Sequence, residues 1–317
     1  MISRRRLLFS ATAAPWVARA AALTSKERVD RALAGSDTDR PPFTFWYHFG
    51  LEKFPGERHA KATLEFHRKF GTDLVKVMSD FPYPKPAGKW FEVRVSANPF
   101  PEQIRALEMI RGGLGGKAHF VETIFNPWNQ ATKLSSADEV KRLMQEKPQA
   151  LLDALEAIGK SEASHARRAI AAGASGIFLA IDNAQEGILT PEEYRKFSEP
   201  FDRMVLDAVR QAPLNTLHLH GDKVRLGGFW KGWPAVVINY SIHGTGVPFT
   251  AARKNFSGVL MGGIDERNFR KLSPAEARRQ LADARAAAGN KYIAAGGCSV
   301  PNETTDQEML AVIASWK

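Results

Sequence analysis

The chain has 317 residues, of which 44% are hydrophobic, 10% aromatic and 25% charged, a globular composition that excludes a disordered or fibrous chain. A mean hydropathy of −0.29 and the lack of any apolar run of about 18 residues exclude a membrane bundle. The formal charge is +10, but residues 1–20 hold four arginines and no acid, which leaves the rest at +6. No Lys/Arg run is interleaved with aromatics, so nucleic acid is not an expected partner.

At the N-terminus, Ser3-Arg4-Arg5-Arg6-Leu7-Leu8 resembles the twin-arginine export motif. An apolar stretch, Leu7 to Ala18, follows it, and Ala18-Arg19-Ala20 offers a small-x-small cleavage site. The stretch is about 12 residues long and contains Pro15, too short to span a bilayer. The expectation is a signal segment over 1–20, read by the twin-arginine machinery, and a periplasmic or secreted domain over 21–317.

Thr24 with Glu27 forms a capping-box pattern that opens a short helix to Ala34. Strand candidates then follow in order: Phe43–Phe49, Asp73–Met78, His119–Phe125, Gly176–Ile181, Asn215–His220, Ala235–Tyr240, Gly258–Ile264 and Tyr292–Gly297. Phe91–Ser96 alternates and reads as an extra hairpin strand in a long excursion after the second of these. Ser136 with Glu139, Thr190 with Glu193, and Ser273 with Glu276 place a hydroxyl three residues before a Glu and mark helix starts between strands. Gly112-Gly113-Leu114-Gly115-Gly116-Lys117 follows a helix and precedes Ala118, so it is a loop and not a phosphate cradle. Eight strands, most followed by helices, predict an α/β fold, a single (β/α)8 TIM barrel.

In such barrels chemistry gathers at the C-terminal strand ends. The polar residues there are Tyr47 and His48, Asp80, Asn126, Asp182 and Asn183, His218 and His220, Asn239 and His243, Asp265, and Cys298. Leu217-His218-Leu219-His220 alternates, so both imidazoles share one face opposite the leucines. Cys298 follows the last strand after Gly296-Gly297 and faces the same mouth. Two imidazoles and a thiolate match a zinc ligand set with one position open, the mark of a catalytic site. Hydrogen-bonded mouth histidines would give the same spacing without a metal. His59, His67, His119 and His165 fall in helical or strand-start segments and read as structural or exposed.

Several of these segments together resemble the uroporphyrinogen decarboxylase superfamily, which includes zinc-dependent corrinoid methyltransferases acting on thiols. Arg28 to Leu33 with Asp39-Arg40-Pro41-Pro42 is similar to the family's entry to the first strand. Ser79-Asp80 resembles the aspartate after the second strand, and Asn126-Pro127-Trp128 the segment after the third. His218-Leu219-His220-Gly221-Asp222 resembles the methyltransferases' H-x-C-G-[ND] segment. Gly262 to Asp265, and Gly297-Cys298 to Thr304, resemble the last two barrel segments, so the likeness covers residues 24–317.

The departures are informative. True decarboxylases carry arginines after the first strand to hold the substrate's carboxylates, whereas Phe45-Trp46-Tyr47-His48-Phe49-Gly50 has none. Their Gly-His-Gly after the last strand is Gly297-Cys298-Ser299 here, which favours the methyltransferase branch. That branch has a cysteine where this chain has His220, a change that makes a metal site more positive and blunts a bound thiolate. It weakens thiol methylation and opens metal-activated water or Lewis-acid chemistry.

The resemblance implies metal-dependent methyl or one-carbon transfer to a small-molecule substrate. His218, His220 and Cys298 would hold Zn2+, with a corrinoid or corrinoid protein as methyl donor. Asp80 and His48 would act as catalytic groups, and Asp182, Asn183 and Asn126 would bind substrate. The alternatives are a decarboxylase using Asp80, or a non-catalytic periplasmic barrel that holds a metal, tetrapyrrole or corrinoid.

Overall fold

The structure is a computed structural model and describes residues 22–315, so the expected signal segment over 1–20 lies outside the described residues. Seven parallel strands form one curled sheet in chain order: β1 (Leu74–Val77), β2 (His119–Phe125), β3 (Gly176–Ile181), β4 (Thr216–Leu219), β5 (Val237–Tyr240), β6 (Val259–Ile264) and β7 (Tyr292–Gly296). Alternation along the strands sorts the side chains. Leu74, Val121, Phe178, Val237, Met261 and Ile293 meet inside the curl. Ile177, Leu179, Ile181, Leu217 and Leu219 join the cluster shared with the surrounding helices, including Leu151, Leu155 and Ile158 of helix Pro148–Ala171. Among the described residues, no helix is long and apolar enough to cross a membrane.

The expected first strand, Phe43–Phe49, shrinks to a single bridge between Phe43 and Ala294. Pro41 and Pro42 carry no N–H to donate. The segment nevertheless closes the barrel. Ala294 N–H donates to the Pro42 carbonyl and Thr44 N–H to the Ala294 carbonyl, while Asp73 N–H donates to the Phe43 carbonyl on the β1 side. Beyond Thr44 the chain turns to the mouth, where the Trp46 carbonyl accepts from Val300 N–H.

Phe91–Ser96 is also not a strand. The end of this stretch is tied to a helix instead: Ser96 N–H donates to Ser161 Oγ, and the Ala97 carbonyl accepts from Ser164 and Arg168. Thr24, Thr190 and Ser273 form the expected capping boxes. Ser136 caps its helix alone, because Glu139 turns to Arg142.

The closing segment is clamped by a buried carboxylate. Asp73, fully buried, accepts from Arg28, from Arg40 and from Phe43 N–H, and Asp39 holds the other edge of Arg28. Asp73→Ala would leave Arg40 without its carboxylate, Arg28 with Asp39 alone, and the Phe43 N–H unpaired by a side chain. Removing one partner of a buried pair costs about 3–5 kcal/mol, and a loss of that size is expected in urea unfolding. A loss below about 1 kcal/mol, the range of surface pairs, would show that the clamp is dispensable.

Candidate functional site

His218 points into the barrel from β4, and its neighbour in register on β5 is Asn239. The Asn239 amide donates to the carbonyls of Met261 and Gly296, both at 3.0 Å, which leaves its Oδ1 to accept at 2.6 Å from His218 Nδ1. Nδ1 of His218 therefore carries a proton, and Nε2 is the nitrogen turned toward the mouth. The ring is also stacked on Phe178 at 4.9 Å. The strand ends at Leu219; His220 follows at the exposed rim, and the chain turns away at Gly221 with φ +110°.

Cys298 arrives from the other side of the mouth on a loop that requires glycine. A Cβ on Gly297 would lie 2.1 Å from Ser241 Cα, so only a bare backbone approaches the end of β5 this closely. Gly297 N–H donates to the buried Glu266 carboxylate at 2.9 Å.

The expected trio converges. The donor atoms of His218, His220 and Cys298 lie within 4.8 Å of one another, somewhat wider than the about 4 Å anticipated for a metal-bound set. Cys298 Sγ is 3.3 Å from His220 Nδ1. Burial pushes the thiol up, but hydrogen bonds and charge from His218 and His220 overcome it and bring its pKa down to about 4. In return the hydrogen bond to Cys298 raises the pKa of His220 against its burial. A thiolate with two imidazoles, one of them oriented by a neighbour, fits a zinc ion with a further position free.

Beside the trio lies a cavity of about 240 Å3, which His48, Asp182, Asn129, Thr123 and Lys76 also line. His48 Nδ1 is 2.8 Å from Asp80 Oδ1, so the two expected catalytic residues form one His–Asp pair. Burial would raise the Asp80 pKa, but the hydrogen bond and charge of His48, with the charge of Lys76, lower it overall. Tyr47 turns the other way, packing on Phe49 and Phe66.

Asp182 reaches the cavity and accepts from the Asn129 amide. Asn126 and Asn183, expected at the pocket wall, are fully buried and do not line it. They bond to each other and to Ser198, and Asn126 also to Asp202. Asn126 caps the helix Pro127–Leu134 that carries Asn129, so it acts one step behind the surface. Burial lifts the Asp202 pKa to about 7 against hydrogen bonds from Ser198, Asn126 and Tyr194. His243 is exposed on a short turn of helix away from the trio.

Sequence reasoning missed Lys76 and Asn129. The signal for Lys76 was a lone cation in the otherwise apolar strand Leu-Val-Lys-Val.

Residues 88–317 match the family model described as Uroporphyrinogen decarboxylase (URO-D). The chain belongs to this family. The uroporphyrinogen decarboxylase of Carboxydothermus hydrogenoformans is 27% identical over 124 residues, 37% of this chain and 35% of the relative. That of Vibrio cholerae is 23% identical over 180 residues, 51% and 48% of the two chains. The chain thus spans about half or less of the length of the curated relatives it matches.

Among solved structures, a methyltransferase from Methanosarcina mazei superposes with a TM-score of 0.75 at 17% identity, covering 92% of this chain and 98% of its own. A B12-independent methionine synthase from Shewanella sp. gives 0.54 at 13% identity, covering 87% and 92%. At these identities the likeness is one of fold. The family's barrel is the fold seen here, with its first strand reduced to the closing bridge.

The low thiol pKa is measurable. In chelator-treated protein, thiolate absorbance near 240 nm should persist as pH falls and disappear around pH 4, instead of near the ordinary 8.5. Cys298→Ser supplies the blank, and His220→Ala should move the midpoint upward. A midpoint above about pH 8 in the folded protein would contradict the arrangement of the trio.

Proposed function

We propose that this member of the family is an exported, metal-dependent enzyme of methyl or one-carbon transfer to a small thiol. The observation that carries the reading is the convergence of His218, His220 and Cys298 beside a cavity that also holds the His48–Asp80 pair. These three residues would hold Zn2+, which supplies a Lewis acid that acidifies a thiol in its open position. The names of the two structural neighbours, a methyltransferase and a methionine synthase, support the reaction class.

The chain's own groups have definite tasks in this reading. Asn239 holds the His218 Nε2 lone pair toward the mouth. The Asp80 carboxylate keeps the His48 proton on Nδ1, which makes Nε2 the basic atom that takes the thiol proton. The thiolate sulfur then forms the S–CH3 bond with its own electron pair. The methyl group would come from a donor of the methyl-corrinoid class, free or on a carrier protein, which would leave with the electron pair of the bond that breaks. Asp182 and Asn129, hydrogen-bonded to each other, would line the same cavity against the small substrate.

The segment Phe45–Gly50 brings Trp46 and His48 to the cavity and no guanidinium, which supports a small substrate over an octacarboxylate. For uroporphyrinogen, kcat/KM is expected to stay below about 10^4 M−1 s−1, the lower edge of ordinary enzymes. A higher value would return the chain to decarboxylase chemistry.

Elemental analysis tests the metal. Protein purified from the periplasm should carry about one equivalent of zinc, reduced sharply in Cys298→Ser and unchanged in His243→Ala. Equal metal content in wild type and Cys298→Ser would remove the site. In the same preparation the N-terminus should lie near Ala21, and Arg4→Lys with Arg5→Lys should leave the precursor in the cytoplasm. Unprocessed full-length protein in the cytoplasm of the wild-type strain would refute export.

A further inference from the structure

Lys76 is the one cation among the residues that line the cavity, apart from the histidines, and its residue surface is only 8% exposed. Its position follows from strand alternation: Leu74, Lys76 and Met78 share the inward face, and Leu74 and Met78 pack in the inner core. The ammonium sits 5.2 Å from the centroid of Trp46 and 4.9 Å from that of Phe178. The Phe178 ring also carries His218, stacked at 4.9 Å, so amine and metal-site candidate share one aromatic floor.

Among the described residues, no carboxylate lies within ion-pair distance of Lys76; its hydrogen bond goes to Met78 Sδ. Cys298, Asp80 and Glu122 act on it only through space, none as a hydrogen-bonded partner, and the Cys298 thiolate is committed to the metal when one is bound. Burial outweighs all three and brings the pKa down to about 8, so it stays mainly protonated at neutral pH. A buried ammonium held by ring faces and a thioether is under-compensated. The counter-charge that would complete it has one open direction, the cavity.

We infer that Lys76 is a substrate-anchoring residue whose ammonium receives a monoanionic head group, carboxylate or sulfonate, on the small molecule that occupies this cavity. That this molecule is a thiol rests on the function proposed above; the anion subsite itself does not. A single charge is indicated by the surroundings. Asp182 lines the cavity and Asp80 stands behind His48, so a dianion would meet two carboxylates. Lys133 acts on Asp182 and Asp80 through space, but its ammonium lies over the Phe125 ring and it does not line the cavity itself. This also accounts for a binding segment without arginine: one buried ammonium does for a single charge what an arginine cluster does for many.

Calorimetric titration tests the inference in two arms. In metal-loaded full-length protein, 3-mercaptopropionate should bind at least about tenfold more tightly than its neutral amide, a margin of about 1.4 kcal/mol. Lys76→Met should abolish that preference while leaving the amide affinity and the metal content unchanged, and Lys76→Arg should restore part of it. In chelator-treated protein, propionate or ethanesulfonate should likewise outcompete propionamide in the wild type and not in Lys76→Met. Which of the two binds better identifies the head group. A preference that survives in Lys76→Met, or is absent from the wild type in both arms, would overturn the inference. If only the metal-loaded arm fails to bind thiols, the thiol reading falls and the anion subsite stands.

Discussion

Everything at the mouth of this barrel depends on a short proline-led segment that is pinned from below. Pro42 to Thr44 occupies the place of a full strand but offers the sheet only a few hydrogen bonds on each side. So little pairing would not hold two strands together against the cost of ordering the chain. Asp73 makes up the difference. Its carboxylate binds the backbone of Phe43 and the guanidiniums of Arg28 and Arg40, and so joins the first helix, the closing segment and β1 in one buried knot. With the seam closed, Trp46 and His48 are delivered to the cavity, and the loop bearing Cys298 is fastened to them through Val300 and Asn302.

The site above that seam combines groups of opposite demand. Cys298 is stabilised as an anion, Lys76 is a buried cation without an adjacent counter-ion, and Asp80 is a carboxylate kept charged by His48. Their charges are partitioned by aromatic rings, with Trp46 and Phe178 standing around Lys76, and Phe125 under Lys133. Such partitioning keeps unlike charges from collapsing into internal salt bridges, which would leave nothing for a ligand to satisfy.

Much of this was legible in the sequence. The strands β1 to β7 were readable because each is a short, mainly apolar run, and β2 and β3 have the bounds read from the sequence. The pairing of His218, His220 and Cys298 was readable because i, i+2 spacing fixes a shared face and Gly296-Gly297 carries the chain sharply into Cys298. The first strand misled because its aromatic residues have strand-like character, whereas beyond Thr44 the chain leaves the sheet for the mouth. Asn126 and Asn183 misled for another reason. A polar residue at a strand end either lines a pocket or caps the next helix, and only the packing of Ser198 and Asp202 against them decides. Lys76 stood out only as a lone cation in an apolar strand, and its meaning comes from rings contributed by distant segments.

The closure also sets an order of events during folding. His48 and Asn302, which meet at the mouth, are 254 residues apart in the chain, and Phe43 pairs with Ala294 across a similar span. Loop closure over such a distance has to be met before its contacts repay it, so this pairing belongs to the late, slow part of folding. A ribosome-bound chain cannot complete the barrel until its last strand has emerged. Cys298 rides on that same terminal stretch, two residues beyond β7. The thiol therefore joins the two histidines only after β7 has been made, and a chain truncated before β7 would carry two of the three donors on an open sheet.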